Sequence, residues 1–149
     1  MNKIFISSLN KNFKKYEKNL SKTIGVVLAD MKKDNFFLEV YLVGDSQMRS
    51  LNKICRGQDK TTNVLSFEMP ENFPSPEEEL KPLGEIYLNP AYISRNLKEF
   101  SDEKNLPKFS LAGLAIHGLL HLLGYNHIKK SDRMKMEKKE EFLFSKFLK

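Results

Sequence analysis

The sequence predicts an α/β (α+β) fold: one domain over residues 1–149, with a small mixed sheet of about four strands packed with about five helices. Three observations carry that expectation. A chain of 149 residues is the length of one ordinary domain and can bury a sizeable core without disulfide or metal staples. Its composition, 40% hydrophobic and 30% charged with 7 Gly and 6 Pro, is that of a folded globular protein and not of a disordered or fibrous one. Four short runs rich in β-branched and aromatic residues are separated by stretches whose apolar positions recur at helical spacing.

Taken in order, KIFISSL (3–9) reads as the first strand, and after Asn10 the period changes. From Phe13 the apolar residues Tyr16, Leu20, Ile24, Val27 and Met31 mark one face of a helix, with Lys11, Lys15, Lys18 and Lys22 on its solvated side. FFLEVYLV (36–43) is the second strand, and Asp45 or Ser46 is expected to cap a short helix running toward Ile54. The polar loop RGQDKTTN leads into the third strand, VLSFEM (64–69). PENFPSPEEELKP (70–82) reads as an irregular connection, long enough for a mobile or functional loop. GEIYLN (84–89) is the fourth strand, and Pro90 suits the first position of the helix that follows. From about Ser110 to Leu123 the chain is apolar nearly all round, as a central buried helix would be, and Gly124 is its natural stop. A last amphipathic helix runs from Ser131 to Lys149, with Met136, Leu143 and Phe147 on one side.

Lys plus Arg number 25 against 19 Asp plus Glu, a formal charge of +6 that suits a polyanionic partner such as nucleic acid but equally a solvated surface. The single Cys55 cannot form an internal disulfide, which fits a reducing, cytoplasmic setting and excludes a cysteine-rich zinc site. MNKIFISSLNK has too short an apolar run for a signal peptide, and SLAGLAIHGLLHLLGY is shorter than a membrane span. Neither export nor a membrane anchor is expected.

All 3 histidines fall in HGLLHLLGYNH, residues 117–127. On a helix, His117 and His121 are one turn apart and share a face. A break at Gly124 lets His127 return as a third ligand. A lone buried histidine is usually a core residue satisfied by hydrogen bonds, but three at this spacing around a glycine point to a metal. Three ligands with an open fourth position describe catalytic zinc, one Zn2+ per chain. The spacing is that of a zincin-like site, H-E-x-x-H-x-x-G-x-x-H, with one departure: Gly118 stands where zinc proteases carry the glutamate base. Peptide hydrolysis by that mechanism lacks a central part. A phosphodiester fits better, because its charge calls for cationic help and a metal polarises the phosphoryl oxygen. Arg56, in the loop before the third strand, is the cation singled out, although a loop arginine is more often merely solvated.

CRGQDKTTNVLSF (55–67), LGEIYLNP (83–90), AIHGLLHLLGYNH (115–127) and the downstream Met136 with Glu140 resemble, in that order, the YbeY family of bacterial endoribonucleases and rRNA maturation factors. The likeness covers about the last two-thirds of the chain. It implies a zinc-dependent, single-strand-specific endoribonuclease of the cytoplasm, acting in 16S rRNA maturation and ribosome quality control. Its partners would be single-stranded RNA and the small ribosomal subunit. Under that likeness His117, His121 and His127 take the metal positions, and Arg56 the place of a functionally important arginine. Two residues depart from the family pattern, Asn126 and Glu85, each standing where the family usually has aspartate. Asn126 cannot act as a base. Asn63 and Ser66 would shape the cleft or support its backbone, and Cys55 reads as a small packed residue. Two other functions remain open: a zinc peptidase, opposed by Gly118 and the basic charge, and an RNA-binding ribosome-assembly factor that does not cut and holds a structural zinc.

Overall fold

The computed structural model describes residues 1–70, 74, 79–97 and 107–148. In chain order it forms β1 (Lys3–Ser8), a 3₁₀ segment (Lys11–Tyr16), α1 (Glu17–Asp30), β2 (Phe36–Leu42), α2 (Asp45–Arg56), β3 (Val64–Glu68), β4 (Lys81–Leu88), α3 (Pro90–Asn96), α4 (Leu111–Leu122) and α5 (Lys130–Phe147). The strands lie in the order β1-β2-β4-β3, the first three parallel and β3 antiparallel at an edge. The sheet is therefore mixed, as the sequence predicts, and among the described residues four strands and five α-helices make up the small α/β fold.

A period of two sorts the strand residues between the faces. Leu38, Val40 and Leu42 of β2, with Ile86 and Leu88 of β4, are fully buried in the main core. That core is completed by Leu20, Ile24 and Leu28 of α1 and by Met136 and Leu143 of α5. α4 runs through it with Ala115, Ile116, Leu119 and Leu120 fully buried, which is why this helix is apolar nearly all round. On the other face Val43, Met48 and Leu65 form a smaller cluster under α2. There Phe5, Tyr41, Tyr87 and Phe67 stand in a row across all four strands, with neighbouring ring centroids 6.4, 5.1 and 5.8 Å apart. No helix among the described residues is long and apolar enough to cross a membrane.

Several element ends differ from expectation, each for a local reason. The helix expected from Phe13 begins as a 3₁₀ segment, because the Asn10 side chain accepts from the Asn12 N–H at 2.9 Å and tightens the entry. Neither Asp45 nor Ser46 caps α2; Gly44 does, its N–H donating to the Gln47 side chain at 3.0 Å. The Asp45 carboxylate is engaged elsewhere, by Arg95 at 2.9 and 3.0 Å and by the buried Asn89 amide at 2.8 Å. β4 starts at Lys81 and not at Gly84, pairing with β2 across an irregularity at Phe37/Leu38. Of the 70–82 connection, residues 71–73 and 75–78 lie outside the described residues. Arg56 ends α2 and does not sit in the following loop, and Cys55 beside it is exposed and not packed.

Candidate metal centre and the groove beside it

The third ligand position depends on how α4 ends. Gly124 takes φ +102°, which an L side chain rarely adopts. Its N–H donates to the His121 carbonyl at 3.1 Å, and the Tyr125 N–H to the Leu120 carbonyl at 3.0 Å. This pair of bonds turns the chain sharply at the helix end. The turn returns His127 to the two helical imidazoles, its ring 5.4 Å from His117 and 5.1 Å from His121. One ligand nitrogen from each of the three lies within 4.8 Å of the others.

Each helical ring is held from behind. His117 presents Nδ1 to both oxygens of Glu140 at 3.4 Å, and His121 presents Nδ1 to the Tyr125 carbonyl at 3.1 Å. Donation from Nδ1 leaves the Nε2 lone pair of each ring as its ligating atom. The two Nε2 atoms face one another at 3.1 Å. At that distance either one ring donates an Nε2–H to the other or a shared cation lies between two lone pairs. The separation is also close to the ~3.3 Å edge of a tetrahedron with metal–nitrogen bonds of ~2.05 Å. The donor set, three imidazoles without thiolate, suits zinc, so residues and metal fit. The pKa of His121 is lowered, first by burial and then by the neighbouring His117 and His127, which favours the neutral ligating form.

Glu140 is only 2% exposed and belongs to α5. Sequence reasoning quoted it only as part of a likeness. A signal was present, however: Met136, Glu140 and Leu143 fall at i, i+4 and i+7, which puts a carboxylate in the buried stripe of a helix.

The structure also brings Arg56 to the histidines. A groove of about 890 Å³ is lined by Arg56, Lys60, Ser66, His117, Gly118 and His121 among others. Arg56 Nη2 donates to the Ser66 carbonyl at 3.2 Å, and its guanidinium lies 5.6 Å over the Phe67 ring. Phe67, unnoticed in the sequence, is thus the seat of the arginine. Ser66 contributes its carbonyl, and Asn63 supports the backbone by accepting from the Asn89 N–H at 3.0 Å. At Gly118 an added Cβ would come within 3.2 Å of Ile86 Cγ2, so this glycine lets α4 lie close on β4.

A family model described as Endoribonuclease YbeY matches residues 5–148. The chain belongs to the YbeY family. Its relatives include the Endoribonuclease YbeY of Ruthia magnifica subsp. Calyptogena magnifica, 35% identical over 130 residues that cover 87% of this chain and 86% of that one. The Endoribonuclease YbeY of Nitratiruptor sp. is 38% identical over 136 residues, covering 91% and 83%. Among solved structures, the solution structure of TM1509 from Thermotoga maritima is 31% identical, with a TM-score of 0.55 over 98% of this chain and 91% of that one.

The two residues that stand where the resemblance leads one to expect aspartate, Asn126 and Glu85, both lie outside the groove. Asn126 accepts from the Ile128 N–H at 3.0 Å and lines a separate hollow of about 530 Å³ beside Lys135, Lys138 and Lys139. Glu85 lies on the sheet face away from α4, where its carboxylate accepts from the Tyr87 hydroxyl at 2.8 Å. Burial there pushes the neighbouring Tyr41 hydroxyl up to about 12, so it stays a donor. Among the described residues neither side chain hydrogen-bonds to a candidate ligand: Asn126 precedes His127 in the chain but turns to Ile128.

Proposed function

We propose that the chain, as one domain over residues 1–149, is a zinc-dependent endoribonuclease of the cytoplasm. Its substrate is single-stranded RNA, and its roles are 16S rRNA maturation and ribosome quality control on the small subunit. The observation that carries this reading is the convergence of three imidazole nitrogens beside a groove that also holds Arg56. Membership of an endoribonuclease family supports RNA as the substrate.

When bound, the metal supplies Lewis-acid polarisation of a phosphoryl oxygen and makes an attacking oxygen more acidic. The chain supplies the rest. His117, His121 and His127 would hold the cation, and Glu140 would fix the tautomer and angle of His117 from behind. Arg56 binds the scissile phosphate through its guanidinium and neutralises the charge that develops on it. Its bonds to the Ser66 carbonyl and the Phe67 ring hold it in place beforehand.

One observation favours a second reading, a non-cutting assembly factor with structural zinc. Gly118 leaves the usual base position bare, and the Glu140 carboxylate is committed to the far side of His117. The two readings part in one experiment: a 3′-extended 16S rRNA fragment incubated with zinc-loaded protein, with His117→Ala, and with chelator. Cleavage that needs both His117 and metal is expected. One equivalent of bound zinc with no cutting by the intact chain would replace the nuclease with the binder.

A further inference from the structure

Five successive residues of β3, Val64 to Glu68, line the groove beside the histidines. Residues of alternate faces line one groove only when the groove is bounded by the free edge of the strand, and β3 is at the edge of the sheet. The register shows which backbone groups have no strand partner among the described residues. The Asn89 N–H donates to the Asn63 carbonyl at 3.0 Å, and the Met69 N–H to the Leu83 carbonyl at 3.4 Å. In this antiparallel pair the odd-numbered residues therefore turn their N–H and C=O groups toward β4. Val64, Ser66 and Glu68 turn theirs outward. The Arg56 contact agrees, since its donor reaches the Ser66 carbonyl from the groove side.

This edge repeats every second residue, roughly 6.8 Å, and at each repeat it offers one donor and one acceptor. A ribose-phosphate chain offers the complement: phosphate oxygens that accept and 2′-hydroxyls that donate. We propose that the outward edge of β3 is the track on which the RNA backbone lies, with the N–H groups of Val64, Ser66 and Glu68 donating to phosphates. Their carbonyls, where Arg56 leaves them free, accept from 2′-hydroxyls. Arg56 and Lys60 on the same groove supply the cations, which favours a nucleic acid over an extended peptide as the occupant. Preference for RNA over DNA then comes from strand backbone and needs no base contact. Preference for single strands follows because a paired strand cannot lie flat along a sheet edge. The inference rests on the endoribonuclease reading.

Proline at an outward edge position removes a donor toward the groove and leaves the ladder with β4 intact. Ser66→Pro in the zinc-loaded full chain is therefore expected to raise KM for a short single-stranded RNA about tenfold, relative to Ser66→Ala, which keeps the N–H. Its melting midpoint should stay near that of Ser66→Ala, whereas Leu65→Pro, which removes an inward donor, should lose cooperative unfolding. Independently of any variant, DNA and 2′-O-methyl RNA of the same sequence should compete with the RNA at least tenfold more weakly than unmodified RNA. A folded Ser66→Pro with unchanged KM would overturn the track, as would competitors equal to RNA, and these competitors decide the matter if Ser66→Pro does not fold. Equal competition from an extended peptide would reassign the edge to a protein partner. A chain that binds RNA without cutting it is read by the same arms as Kd. A wild-type chain that cuts RNA while every arm is indifferent loses the track alone. One that neither cuts nor binds RNA loses the endoribonuclease reading as well.

Discussion

Among the described residues Glu140 hydrogen-bonds to His117 alone, although it is nearly inaccessible to water. A carboxylate in such a place serves the ring it faces. Glu140→Gln is expected to keep the fold and weaken zinc binding about 10- to 100-fold, read by competition with a chromophoric chelator. Arg56→Ala should lower kcat for RNA cleavage about 100- to 1000-fold, and Arg56→Lys should not restore it, because an ammonium cannot reproduce a planar fork over Phe67. The three histidines were legible in the sequence because they lie within eleven positions and a single helix turn relates two of them. That Glu140 backs His117 and Phe67 seats Arg56 was not, because the first partner comes from another helix, 23 residues away, and the second from a neighbouring strand; the periodicity of α5 marked Glu140 only as buried.

The element ends show where local rules yield to tertiary partners. Asp45 has the composition of a cap, yet Arg95, Asn89 and Thr61 take its carboxylate and tie the start of α2 to the loop before β3 and to α3. The Arg95 and Asn89 bonds hold its pKa below the usual aspartate range. The folded state thus binds fewer protons at this group than the unfolded chain does, and its contribution is complete above the ordinary aspartate pKa. It is lost as pH falls through the depressed value. Thermal midpoints measured from neutral pH down into the acid range should therefore fall more for wild type than for Asp45→Asn. Gly84, at φ +150°, marks a second such place, where an added Cβ would lie 2.3 Å from the Phe67 carbonyl oxygen. Gly84→Ala should cost roughly 2 kcal/mol or more in chemical denaturation, because the obstacle is backbone of the β3–β4 pair.

At the scale of the whole molecule, the number and type of elements followed from periodicity, since β2 and α4 each bury the face that their apolar spacing marks. Strand order did not. No pattern in VLSFEM distinguishes an edge strand from an inner one, and β4 passes between β2 and β3 only because of how the chain crosses over. Zinc at a hundredfold excess over its Kd should stabilise the fold by about 2.7 kcal/mol, seen as a rise in melting midpoint that chelator reverses. The three ligands are neighbours along the chain, however, whereas β3 has, among the described residues, a single strand neighbour, β4. Loss of the β3–β4 pairing would thus open the groove wall while the three imidazoles stay carried by α4 and the turn that follows it. The candidate cation site and the groove wall thus rest on different parts of the fold, the one local in the chain and the other made by a pairing of strands.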